Sequence, residues 1–191
     1  MIVVKKLIAF VLLLGLSCDP APAVAGPGVN GINFNDKHLV DGHQLEVTGV
    51  ALLKWALIFD IYAGAFYLPT GYAGKDWSKD IPKHLELYYF RGFKAEEFSG
   101  ASEELLREAL AFENYRRLEE RLQEFYRLFR DIRQGDRYTL TYTPSRGTEL
   151  RLNNRLLGAV PGHDFAVAYF GLWLGSRPIN DTFRDRLLKG G

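Results

Sequence analysis

The sequence predicts an α+β fold in which a large antiparallel sheet carries a layer of helices on one face. Strand-like segments fill residues 32–91, and a charged stretch with helical periodicity follows them. A hairpin pattern and two more helical segments close the chain. Strands grouped before and after a helix pair, without strict β–α alternation, give an antiparallel sheet with segregated helices.

Each element follows from local pattern. Residues 26–31 (GPGVNG) read as a turn-rich linker. Ile32 to Phe34 and Leu39-Val40 bracket a turn at Asn35-Asp36, and Gln44 to Thr48 alternates like a half-buried strand. Val50 to Leu68 is nearly all apolar, and its aromatic and β-branched content predicts two long strands joined near Trp55–Leu57. Pro69 and Gly71 end the second of them. His84 to Arg91 is another strand, with Leu85, Leu87 and Tyr89 on one face. Glu96 to Leu110 forms a first helix. After a break near Asn114, a second carries the stripe Leu118, Leu122, Phe125, Tyr126, Phe129 and Ile132 up to Gly135-Asp136. Tyr138 to Tyr142 and Thr148 to Leu152 form a hairpin around Pro144–Gly147, and Asn153-Asn154 turns the chain into Leu156 to Val160. Phe165 to Leu174 is an apolar helix. Asn180 or Asp181 caps a last helix that runs through Leu188.

Residues 1–25 read as a signal peptide. Lys5 and Lys6 precede the apolar run Leu7 to Leu16, which is shorter than the ~20 residues a spanning helix needs, and Ala23-Val24-Ala25 offers small residues for cleavage before Gly26. The domain is then 26–191, in the periplasm or secreted. Gly15-Leu16-Ser17-Cys18 resembles a lipobox and would place a lipid anchor on Cys18, but Gly15 stands where an aliphatic residue is usual, so the Ala25 boundary is preferred. Losing residues 1–25 removes Lys5, Lys6 and Asp19 from 24 basic and 23 acidic residues, which leaves the two signs equal. That balance gives no electrostatic case for nucleic acid, and no later run is long enough to span a membrane. Without Cys18 the domain has no cysteine and stands on its apolar core.

The chain has no Gly-rich phosphate loop, no GxSxG and no HExxH. His38, His43, His84 and His163 lack metal-ligand spacing and read as surface or turn residues, so no metal or cofactor is expected. The odd residue is Lys54, a cation between Leu53 and Trp55, which either points outward to water from an edge strand or marks a site. Its nearest acidic neighbour in sequence, Asp60, is six residues on. In one extended strand that is ~20 Å, so a cleft-facing Lys54 would need a partner from outside the chain.

The stretch TELRLNNRLLGAVPGHDFAVAYFGLWLGSRPINDTFRDRLL, with its Asn-rich turn, PGHDF and WLG before Pro178, resembles the chalcone isomerase-like proteins of bacteria. GVALLKWALIFDIYAGAFYLP resembles the strand pair of the same family, and the likeness spans about residues 31–190. It implies an apolar cleft between the sheet and the helices. In the plant enzymes of that fold an arginine, a strand threonine, a tyrosine, an asparagine and a second threonine serve catalysis. The matching positions here are Lys54, Tyr62, Phe98, Leu105 and Leu172, a mostly apolar set. The non-catalytic branch of the fold binds fatty acids with a cation and a tyrosine, roles that Lys54 and Tyr62 match.

The resemblance therefore implies a binding protein for an apolar acid or lipid-like molecule. Lys54 and Tyr62 would hold the head group, and Phe98, Leu105, Phe170, Leu172 and Trp173 would line the cleft. Two alternatives stay open. One is an isomerase or lyase on a phenolic or enone substrate, with Tyr62 or Tyr89 as acid. The other is a structural or partner-binding domain with a closed core.

Overall fold

The computed structural model describes residues 26–56 and 59–189. The expected signal peptide, the Cys18 alternative and Leu57 at the expected strand junction lie outside these residues.

A seven-stranded antiparallel meander forms the body of the protein: β3 (Lys37–Val40), β4 (His43–Trp55), β5 (Phe59–Pro69), β6 (Lys83–Tyr89), β7 (Arg137–Thr143), β8 (Gly147–Leu152) and β9 (Arg155–Val160), each paired with its neighbour in sequence. Two-residue turns at Asp41-Gly42 and Asn153-Asn154 join β3 to β4 and β8 to β9. All four turn residues have positive φ, which suits the Asp-Gly and Asn-Asn choices. The expected linker at 26–31 is instead part of a small hairpin, β1 (Gly28–Val29) with β2 (Ile32–Asn33). The helices are α1 (Ala95–Ala109), α2 (Phe112–Tyr126), α3 (His163–Leu174) and α4 (Asp181–Leu188), the last capped by Asn180, whose side chain accepts the Phe183 N–H.

Two apolar layers flank the sheet. On the helix side, Tyr62, Phe66, Leu85, Leu87 and Leu140 pack against Leu106, Leu122, Phe125, Phe170 and Phe183. On the other side Phe34, Leu45, Ala63, Ala65 and Tyr67 form a second core. A bulge between Val47 and Gly49 explains how β4 serves both. The extra residue, Thr48, inverts the alternation, so Leu45 and Val47 join the second core while Ala51 and Leu53 join the helix-side one. Its hydroxyl lies 2.8 Å from the Leu187 carbonyl and 3.1 Å from that of Phe66, and donation to Leu187 pins α4 to the strand. The sheet curls away from the helices far enough that the Ser145 hydroxyl, between β7 and β8, donates to Asp41 in the first turn.

The helix pair departs from the sequence pattern at two points. The break falls at Leu110-Ala111, both extended, and Asn114 lies inside α2. The second helix stops at Tyr126, although Phe129 and Ile132 continue the stripe and are buried. Tertiary bonds take over there. The Tyr138 hydroxyl both accepts the Arg130 N–H and donates to the Arg130 carbonyl, and Ile132 exchanges two backbone bonds with Phe93.

Gly49 sits where α4 meets β4. A Cβ there would stand 2.1 Å from the Arg186 carbonyl oxygen and 2.8 Å from that of Leu187. Both are backbone atoms and cannot swing aside. Gly49→Ala is expected to destabilise the fold by about 1–3 kcal/mol, read as a lower urea midpoint with an unchanged slope.

Candidate functional site

The candidate site is an apolar pocket of about 330 Å³ between β4–β6 and the helices α1 and α3. Cross-strand pairing builds its floor. Tyr62 on β5 lies directly opposite Tyr89 on β6, with ring centroids 5.4 Å apart at a steep angle. Phe98 on α1 meets the Tyr89 ring edge-on at 5.6 Å. Leu105 on α1, with Leu172 and Trp173 on α3, completes the wall, and Ile179 stands near the rim. A smaller void of about 40 Å³ lies behind, sharing Tyr89, Phe98, Ser102 and Trp173 with the pocket.

The polar groups are few. The Trp173 indole N–H donates to the Tyr62 hydroxyl at 3.0 Å. That leaves the Tyr62 proton without a protein acceptor among the described residues, and the Tyr89 hydroxyl likewise makes no hydrogen bond among them. Ser102 and Tyr169 share a bond of 3.0 Å. Burial pushes the Tyr62 phenol far up, opposed in part by the Trp173 bond; burial also holds Tyr89 well above its ordinary value, reinforced by the neighbouring tyrosines. Both stay protonated donors across the neutral range. The charged lining residue among those described is Glu97, at the start of α1. Its carboxylate accepts the Lys94 N–H at 2.6 Å.

The structure thus brings Tyr62, Phe98, Leu105, Leu172 and Trp173 into one pocket. It does not bring Lys54 or Phe170 there. Phe170 is buried beneath the pocket wall, its ring 6.4 Å from that of Phe66. Lys54 pairs with Asp60 at 3.2 Å, and Asp60 also accepts the Asn30 side-chain N–H from the β1–β2 turn. That contact sets the ion pair on the sheet face away from the helices. The expectation of a distant Asp60 fails because the chain reverses between them, so Lys54 lies directly across from Asp60 in the β4–β5 ladder. The ~20 Å separation holds for one continuous strand and not for a hairpin. Pocket residues that sequence reasoning missed are Leu53, Ile61, Phe93, Glu97, Ala101, Ser102 and Ile179. The α1 periodicity, which sets Ser102 one turn from Phe98 and Leu105, could have found Ser102.

A curled antiparallel meander under four helices, with an apolar pocket between the layers, defines the class. The sequence profile described as chalcone isomerase-like matches residues 26–189, and the chain belongs to that family. Among solved structures, it resembles the crystal structure of a fatty-acid binding protein of Arabidopsis thaliana, with a TM-score of 0.64 and 18% identity over 83% of this chain and 92% of that one. No curated protein sequence matches.

Proposed function

We propose that this protein binds an apolar, lipid-like small molecule in the pocket between β4–β6 and α1/α3, without turning it over. The observation that carries this reading is a largely apolar cavity of about 330 Å³, within the size range of ligand sites, whose free polar groups are hydroxyl donors. The plant relative's fatty-acid binding supports it. A ligand oxygen accepting from Tyr62 and Tyr89 fits the donors present. A carboxylate fits less well, because it would enter without a counter-charge and pass Glu97. The preferred ligand is therefore uncharged at its polar end: an alcohol, an ester or a protonated acid. General acid–base catalysis works best with a group that titrates near the working pH, and burial moves both phenols away from it.

We also propose that residues 1–25 direct export and are cleaved after Ala25, for which N-terminal sequencing is the check.

Calorimetry with dodecanol and dodecanoate tests the binding reading. Dodecanol should bind at least about tenfold more tightly, which is ~1.4 kcal/mol. If neither ligand binds, the reading is wrong. Lys54→Met is expected to leave dodecanoate affinity unchanged, since its ammonium already faces Asp60 on the other side of the sheet. A tenfold loss would put Lys54 back beside the ligand.

A further inference from the structure

The face of the sheet away from the helices holds a second cavity, of about 620 Å³, with polar walls. Four buried polar atoms without a hydrogen-bond partner meet on this face: His38 Nε2, His84 Nε2, the Tyr67 hydroxyl and Thr139 Oγ1. Buried polar atoms are rarely left unpaired, so a cluster of them asks for a missing partner.

Register explains why the cluster forms. His84 and Glu86 are two residues apart on β6, so both point to this face. β3 curls over the same face and brings the His38 ring to 4.6 Å from the His84 ring, with the Tyr67 ring 4.6 Å from His38 and 5.5 Å from His84. One ligand atom from each of His38, His84 and Glu86 can be chosen so that all lie within 4.8 Å of one another.

We infer that His38, His84 and Glu86 form a binding site for a divalent transition metal of the zinc class. Two histidines and one carboxylate are an established donor set for such ions. His84 is 7% exposed and Glu86 is 8% exposed, so neither is a casual surface group. Thr141, opposite His84 on β7, meets His84 Nδ1 at 2.7 Å. With Nδ1 protonated and donating to that hydroxyl, the bare Nε2 is left facing the cluster, the outer-sphere support that metal-bound histidines have. Arg137 engages Glu86 Oε1 and leaves Oε2 toward His38 Nε2, 3.7 Å away. Tetrahedral ligands of zinc stand about 3.4 Å apart, so closure on an ion draws the three ligand atoms, which lie within 4.8 Å of one another, closer together, with the half-buried His38 ring the freest of them to turn. Three protein ligands leave a coordination position facing the cavity, the arrangement of sites that take water or a small anion.

The test is zinc titration calorimetry on protein purified without a histidine tag, with cobalt(II) absorption as a second readout of coordination. Wild type should bind one zinc per chain and give the visible bands of a low-coordinate cobalt site. His38→Ala and His84→Ala should each lose both signals, whereas His43→Ala keeps them. Thr141→Val should keep one zinc per chain and weaken binding about 10- to 100-fold. His38 is half-buried near the sheet edge, so His38→Ala decides the matter even if His84→Ala does not fold. The site is overturned if wild type takes up no zinc, or if His38→Ala binds it as wild type does. Thr141→Val affinity equal to wild type would overturn Nε2 of His84 as the ligand atom. None of these outcomes depends on lipid binding in the pocket across the sheet.

Discussion

Raising the pH is expected to unfold this protein cooperatively, with a midpoint between about pH 11 and 13. Tyr62, Tyr67, Tyr89 and Tyr169 are at most 5% exposed. In each, burial is the first cause of a phenol held above its ordinary value. The unfolded chain releases these protons near pH 10, while the folded chain keeps them. Stability is therefore fully present below about pH 10 and is lost as pH rises, because the folded state binds more protons. Four phenols give a slope of about 5 kcal/mol per pH unit, enough to cancel a typical 5–15 kcal/mol within about one to three units. Lys83 acts with the opposite sign. Burial pushes its ammonium down to about 8, so it adds stability as pH rises from about 8 to its unfolded value near 10.4, and nothing further above that. Tyrosinate absorbance and far-ultraviolet circular dichroism, followed together, check this. A late block of absorbance should appear with the loss of structure. Smooth titration of all phenols before the dichroism changes would show that these four are not shielded.

The strands, hairpins and caps were legible because they are written locally. Asn153-Asn154 and the Asn180 cap carry their geometry in their own side chains, and the β4–β5 pair shows in its composition. Facing was harder to read. One extra residue at Thr48 swaps the two faces of β4, which leaves Leu53 lining the pocket and its neighbour Lys54 outside it, and a second irregularity inserts Ile61 on β5 and sets Asp60 across from Lys54. No local pattern announces either bulge. The helix end at Tyr126 is not legible in the sequence because Phe129 and Ile132 keep a helical spacing while answering to Tyr138 and Phe93 across the fold. His38 and His84 looked unrelated for the same reason, since it is the curl of the sheet that sets their rings side by side.

Resemblance and geometry contribute differently to the pocket. The matched positions Tyr62, Phe98, Leu105 and Leu172 gather around one cavity, which local patterning could not have shown. The same matching placed a cation there, and β4 does not deliver it. What remains is a largely apolar wall with two phenol donors and Glu97, on which the proposed preference for an uncharged ligand rests.

Leu105→Trp is expected to lower dodecanol affinity roughly 15- to 60-fold while the fold stays intact. Leu105 projects from α1 into the pocket, facing Leu172 and Trp173 on α3. An indole in its place fills space that a ligand chain would use. Displacing two or three methylenes forfeits about 0.8 kcal/mol each, about 1.6–2.4 kcal/mol together, which sets the fold-change. The larger ring enters existing cavity instead of packed core, so the strain of an overfilled interior should not arise, and the unfolding midpoint should hold or rise. Phe170→Leu is the contrasting change. Its ring lies in the core beside Phe66 and not on the pocket wall, so it should lower stability through lost packing and leave dodecanol affinity unchanged. Calorimetry on the two variants separates pocket from core. If Leu105→Trp binds dodecanol as tightly as wild type, the ligand sits elsewhere. If Phe170→Leu loses affinity and Leu105→Trp does not, the chain enters from beneath α3 and the pocket wall described here is the wrong one.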